Sequence, residues 1–349
     1  MLVLMMFGVT RSYLPQLDDG AGQKAGHPSA IYLVPALAAM LYPFILRAFH
    51  HAVIDPSLRW SAPFVLAAAF AVPASGFAFA MRKGLPASMR RLAFASVVAP
   101  TLFVFLGVVQ ALVSSPLPDE VPWLLIWSGL AILAWVQSRS DADKPPIKDI
   151  GYWRVAHGVS GAIVMLYVLF HVTNHLFGLI GPAAHATVMN LGRHVYRALL
   201  IEPLLVVLML FQVCSGLRLA WLWSAQRGDF YRTFQVASGF YLVIFIVGHM
   251  NSVFVYARRF LGIPTDWAFA TGAPTGLIYD AWNIRLFPHY ALGVFFVLTH
   301  LASGLRVVLL AHGVREQTAD RIWNICAGFS LFIAIAIIAG MSGVRLASQ

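Results

Sequence analysis

VSGAIVMLYVLFHVTN, residues 159–174, decides the organisation of this chain. It is the centre of an apolar run over 152–180, which exceeds the ~20 residues that a helix needs to cross a ~30 Å hydrocarbon layer. It also puts a histidine, His171, inside that run. The pattern returns as ASGFYLVIFIVGHMNS (237–252), with His249 at the place of His171. The helix that follows is duplicated as well, FQVCSGLRLA (211–220) returning as THLASGLRVV (299–308). The second part of the chain therefore reads as two related helical hairpins and a last helix. A weaker echo, AVPASGFAFA (71–80), suggests the same origin for the N-terminal helices.

Composition extends this outward. Of 349 residues 60% are hydrophobic and 11% charged, against about 25% charged in soluble domains. Apolar runs bounded by charge, Pro and Gly predict helices near 29–53, 60–80, 92–113, 121–137, 152–180, 194–223, 231–258, 285–311 and 321–345. The expected fold class is all-α, a polytopic transmembrane helical bundle of about nine helices. Internal prolines do not break the pattern, because membrane helices tolerate them. The most polar stretch, SRSDADKPPIKD (138–149), marks a boundary. The expected organisation is an N-terminal four-helix region (1–138), a polar linker (139–151) and a five-helix domain (152–349), the last holding nine of the twelve histidines.

The net charge of +10 does not indicate nucleic acid, since the basic residues sit singly or in pairs at the ends of apolar runs, as topology signals do. With nine spans, sixteen of the 24 Lys and Arg fall on the side of the N-terminus. The positive-inside rule then puts that terminus in the bacterial cytoplasm or the mitochondrial matrix. Met1–Thr10 is apolar but lacks the basic start of a cleaved signal, and a helix lying on the membrane surface stays open for it. Cys214 and Cys326 lie in apolar runs without CxxC spacing, and core packing is expected for both.

An ionisable group inside a bilayer is costly and usually faces the bundle interior with a task. Helix-to-helix hydrogen bonding, an interfacial position and chance retention are the competing accounts of any one histidine. His171 and His249 each follow a Ser-Gly pair by eleven residues, about three turns, and so share a face with small residues that admit a neighbouring helix or a flat macrocycle. Their helices run in one direction, which puts the two imidazoles at one depth, as a six-coordinate haem iron requires. His175, one turn beyond His171, is the substitute ligand or a neighbour of the propionates. His300 has Gly304 one turn on, while its counterpart in the other hairpin is Gln212, a poor haem ligand. His157, about 21 Å below His171 along the axis, either bonds a propionate or faces His300. Arg218 and Arg306, from the shared SGLR, suit propionate pairing or interfacial anchoring. Glu202, the one acid in the middle of a span, is either neutral or paired with Arg197, with a quinone or proton role open, and structural pairing is the expectation. His194 and His289 are expected at the interface, and His27, His50, His51, His185 and His312 receive no role.

FHVTN (170–174), EPLLVVLMLFQVCSGL (202–217), QVASGFYLVIFIVGHM (235–250) and THLASGLR (299–306), with a fifth span free of histidine, resemble the five-helix cytochrome b anchors of succinate:quinone oxidoreductases and fumarate reductases. The resemblance covers about 150–345, and the family's histidine-free helix comes third rather than last. The stretch 192–219 also resembles the membrane domain of mitochondrial adaptor proteins of lipid homeostasis. The family implies a distal haem b at His171 and His249, and a proximal one with His300 as one ligand and Gln212 where the other would stand, so that this chain keeps one bis-histidine haem and loses or alters the second. It implies electron exchange with quinone, and a partner dehydrogenase carrying the flavin and iron–sulfur centres that this chain lacks. The rival expectation is a structural or adaptor subunit of a larger membrane complex, with a structural haem or none. A transporter is disfavoured, as the hairpins repeat in parallel and show no paired broken helices.

Overall fold

The computed structural model describes residues 29–139 and 150–346. Met1–Thr10 and most of the polar linker lie outside the described residues. Twelve α-helices follow one another, and no strand occurs among the described residues: α1 Val34–Ile54, α2 Ala62–Ala80, α3 Ala87–Val97, α4 Ala99–Leu112, α5 Glu120–Ser138, α6 Gly151–Leu176, α7 Pro182–Tyr196, α8 Ile201–Ser224, α9 Phe230–Met250, α10 Trp267–Thr271, α11 Leu286–Ala311 and α12 Glu316–Met341. Eight helical segments are long and apolar enough to cross a membrane, and α3 with α4 makes a ninth if that bent pair is one span. The protein is an integral multi-pass membrane protein, and its apolar outer surface, with residues such as Leu125 and Leu166 about 70% exposed (69% and 70%), meets lipid.

Three local departures from the expected helices have sequence causes. The helix expected over 92–113 bends by 67° at Val98, two residues before Pro100, whose ring cannot sit over the carbonyl of a continuous preceding turn. The helix expected over 194–223 is two helices, broken over Arg197–Leu200. Hydropathy alone runs through that break, because Ala198, Leu199 and Leu200 are apolar. The proline at 203 falls in the first turn of α8, where no intrahelical N–H bond is needed. Beyond Met250, α9 continues as a π-helix over Asn251–Leu261 and ends at Gly262 in the left-handed region (φ +65°).

Within a bilayer, lipid is as apolar as leucine, so helices are held by close packing and hydrogen bonds rather than by exclusion from water. In the first part Tyr42, Trp123 and Trp127 are fully buried, and Trp123 Nε1 donates to the Ala39 carbonyl at 2.8 Å. A Cβ on Gly76 would collide with Ser96 and the Ala93 carbonyl, so the SG echo in α2 serves the close approach of α3. The two parts share a core, as Ala80, Ala93, Phe94 and Val97 pack with Phe234, Tyr241, Phe296 and Trp323. Buried Arg285 reaches from the turn before α11 to Asp119 at 2.6 Å, a second tie between the parts. In the second part α6 packs on α8, α8 on α9 and α9 on α11, with a slighter α6–α11 contact, so α6 and α9 face each other across a four-helix ring. Helix α12 lies against α11.

Candidate functional site: two histidine pairs

The upper end of the ring is taken as the end where α6 stops. Near it, the His171 ring on α6 and the His249 ring on α9 have centroids 5.9 Å apart with planes at 73°. Towards the lower end, His157 on α6 and His300 on α11 have centroids 6.4 Å apart with planes at 87°. The pairs are separated by the fourteen residues from His157 to His171, about 21 Å along a helix. All four rings are half-buried, while His185 and His289 nearby are packed to 2% and 3% exposure.

The lower pair is held by the duplicated serines. Ser215 Oγ lies 2.6 Å from the Phe211 carbonyl and 2.8 Å from His157 Nδ1. A carbonyl only accepts, so the hydroxyl proton goes to Phe211 and the serine accepts from His157 Nδ1–H. The same reasoning applies to Ser238, which donates to the Gln235 carbonyl at 3.1 Å and accepts from His300 Nδ1 at 2.9 Å. Both imidazoles therefore carry a proton on Nδ1, and in the neutral form leave on Nε2 the lone pair that binds a metal. Ser160 and Ser303 repeat the device. They donate to their own helices, to Ala156 and Thr299, and accept from Gln212 Nε2 and Trp323 Nε1. The glycines after these serines leave room. A Cβ on Gly216 would press the His157 ring at 3.2 Å and one on Gly239 the His300 ring at 3.4 Å, while Gly304 faces open space.

These contacts change how Gln212 is understood. It occupies no ligand position opposite His300. It donates to the His157 carbonyl at 2.9 Å and to Ser160, the bond equivalent to that of His300 on Ser238. The partner of His300 is His157.

Around the upper pair, Tyr167 stacks on His171 and Phe245 on His249, with centroids at 5.6 and 5.9 Å. His175 stands 4.8 Å from His171 and 5.3 Å from His185, whose ring lies 4.7 Å from that of Trp267 on α10. Two residues outside the expected site thus belong to its surroundings. His185, given no role in the sequence, sits on α7 with Asn174 Nδ2 at 3.2 Å from its Nε2. His289, expected at the interface, is buried, its ring 4.8 Å from that of Phe245 on α9. Only contact information could have found them, since nothing in their spacing marks them. The Nδ1 atoms of His175, His185 and His289 are buried without a hydrogen-bond partner.

The two arginines differ from expectation in availability. Arg306 is engaged, its Nε donating to Asp320 at 2.6 Å and its guanidinium lying over Tyr231. Arg218 lies over Trp153, 4.5 Å from the ring centre. Glu202 stands in the first turn of α8 rather than mid-span, and pairs with Arg258 at 2.7 Å rather than with Arg197. Cys214 is exposed towards lipid and Cys326 half-buried, so the expected core packing fails for Cys214.

Among the described residues no three His, Cys, Asp or Glu side chains are grouped to hold a bare metal ion. The histidines come in pairs. Imidazoles on opposite sides of one metal, each bonded at about 2 Å, have ring centres about 6 Å apart, and both pairs fit that spacing. Small residues beside the rings and a fixed tautomer at the lower pair fit it too. No protein-family model matches the chain, and neither a curated protein nor a solved structure matches it.

Proposed function

We propose that this protein is a b-type cytochrome subunit of the membrane, with one haem between His171 and His249 and a second between His157 and His300. The observation that carries the proposal is the pair of facing imidazoles at each of two depths in one four-helix ring, 5.9 and 6.4 Å between ring centres. Haem would supply one-electron exchange when bound, and His157 and His171, about 21 Å apart along α6, would each hold one such group near an end of the bundle. The chain's own part is ligation and environment. Ser215 and Ser238 keep the proton of the lower imidazoles on Nδ1 and fix the rings' orientation, which raises their basicity as ligands. Tyr167 and Phe245 lie flat against the upper rings and restrict their rotation. The surrounding apolar helices exclude water, and so set the dielectric around the iron on which its potential depends.

The electron partners belong to the same proposal: quinone in the bilayer and a partner dehydrogenase at one end, with the N-terminus on the cytoplasmic or matrix side. The experiment is reduction of the purified protein by quinol, followed in the α-band region. Reduction to a substantial fraction of the dithionite level supports electron transfer. A haem-loaded protein that quinol leaves oxidised supports instead the accessory role in a larger complex.

A further inference from the structure

At the upper end three arginines converge, Arg193 and Arg197 from the last turn and C-cap of α7 and Arg258 from the π-helix. Arg193 Nη2 donates to the Thr265 carbonyl and Arg197 Nη2 to Thr265 Oγ1, both at 3.0 Å, and Arg258 on the π-helix donates to Glu202 at 2.7 Å. Three cations meet one carboxylate. The next acid in the chain, Asp266, instead caps α10 through Phe269 N–H at 3.1 Å. The Nε–H of Arg193, of Arg197 and of Arg258 is buried without a partner, though each of the three side chains keeps part of its surface open. Burial, then Arg258, then Arg193 lower the ionisation range of Arg197, so the three guanidinium groups share one field. With Glu202 and Asp266 set against the three cations, one positive charge stays unmatched, and with three unmet donors this describes a site for an oxyanion.

The apolar surroundings state the rest of the ligand's chemistry. Leu191, Val195, Leu199 and Leu200, on α7 and the turn after it, are 69%, 61%, 88% and 80% exposed. A short helix with arginines on one side and bare leucines on the other lies in the plane of a membrane interface. We propose that Arg193, Arg197 and Arg258 bind the phosphate of an anionic phospholipid in the leaflet at this end, with its acyl chains along Leu199 and Leu200. The bound lipid would fix α7 against the π-helix, and with it His185 over the upper histidine pair. The assignment holds whether or not haem is bound.

The test uses the full chain in mild detergent, titrated with phosphatidylglycerol or phosphatidylcholine, with retained lipid counted by native mass spectrometry. The wild type is expected to keep one phosphatidylglycerol and to bind it at least tenfold more tightly than phosphatidylcholine. R193Q/R197Q/R258Q should lose that preference, R193K/R197K/R258K should keep most of it, and R218Q, at the other end, should leave it unchanged. Equal affinity for the two lipids in the wild type overturns the proposal, as does an unaltered preference in the folded glutamine variant. If the wild type shows no preference and the glutamine variant releases haem, the arginines hold a haem carboxylate and the lipid assignment fails.

Discussion

Replacing Ser215 by alanine isolates the hydrogen bond that orients the lower pair. Ser215 is fully buried, and the substitution removes one oxygen without opening a cavity of consequence. What is lost is the acceptor for His157 Nδ1–H at 2.8 Å. A buried donor left unmet costs roughly 1–3 kcal/mol, and one outer partner of a metal-ligating histidine is worth about 10- to 100-fold in affinity; the two ranges agree. Ser215→Ala is therefore expected to weaken haem retention at the lower site by about tenfold or more, to shift that haem's midpoint potential, and to leave the upper haem unaltered. The assay is potentiometric titration of the α-band together with transfer of haem to an apo-acceptor. Ser330→Ala, whose hydroxyl serves only the Cys326 carbonyl, is the control. A Ser215→Ala protein with unchanged potentials and haem-loss kinetics would refute His157 as an oriented ligand.

Gly178→Ala should destabilise the fold by roughly 1–3 kcal/mol, seen as a lower thermal midpoint, because the new methyl collides with the Trp267 ring, whereas Gly304→Ala meets open space and should be close to neutral. Gly293→Ala drives a methyl into the Phe245 ring, which stacks on His249, so the upper haem's spectrum should change while the lower one's does not. Asp119→Asn leaves buried Arg285 without its carboxylate and should cost about 3 kcal/mol, measured by thermal unfolding in detergent. Burial, then Arg193, pushes His185 down to about 4, with Asp266 opposing. The unfolded chain then binds a proton that the folded one refuses, so this contribution is steady above about pH 6.5 and falls as pH drops towards 4. His185→Gln should flatten that part of the stability profile, and an identical profile would contradict it.

The spans were legible because a bilayer imposes its thickness on the sequence, and the pairing of His171 with His249 followed from two helices of equal register running the same way. The break between α7 and α8 was hidden by Ala198–Ile201, which continues the apolar run without a turn signal. The lower pair was harder for a different reason. Gln212 stands at the position of His300 in the repeat, which reads as a lost ligand. Yet each bonds the serine of the preceding helix in its own hairpin, and the ligand-like partner of His300 comes from His157, outside the repeated segment. The Ser-Gly pairs were recognised for their small size alone. That each serine accepts a hydrogen bond from a neighbouring helix depends on rotations between helices that periodicity does not encode. A helix start normally marks the interface, whereas the His289 ring is buried against Phe245 of the neighbouring helix.

The most direct measurement of the central claim is haem stoichiometry by pyridine haemochrome on the purified full chain, alongside His157→Ala and His171→Ala. Two haems b are expected in the wild type and one in each variant, with the remaining α-band differing between the two. A wild-type protein of intact helical content that holds no haem after expression with excess haem precursor would contradict it, as would variants that keep both.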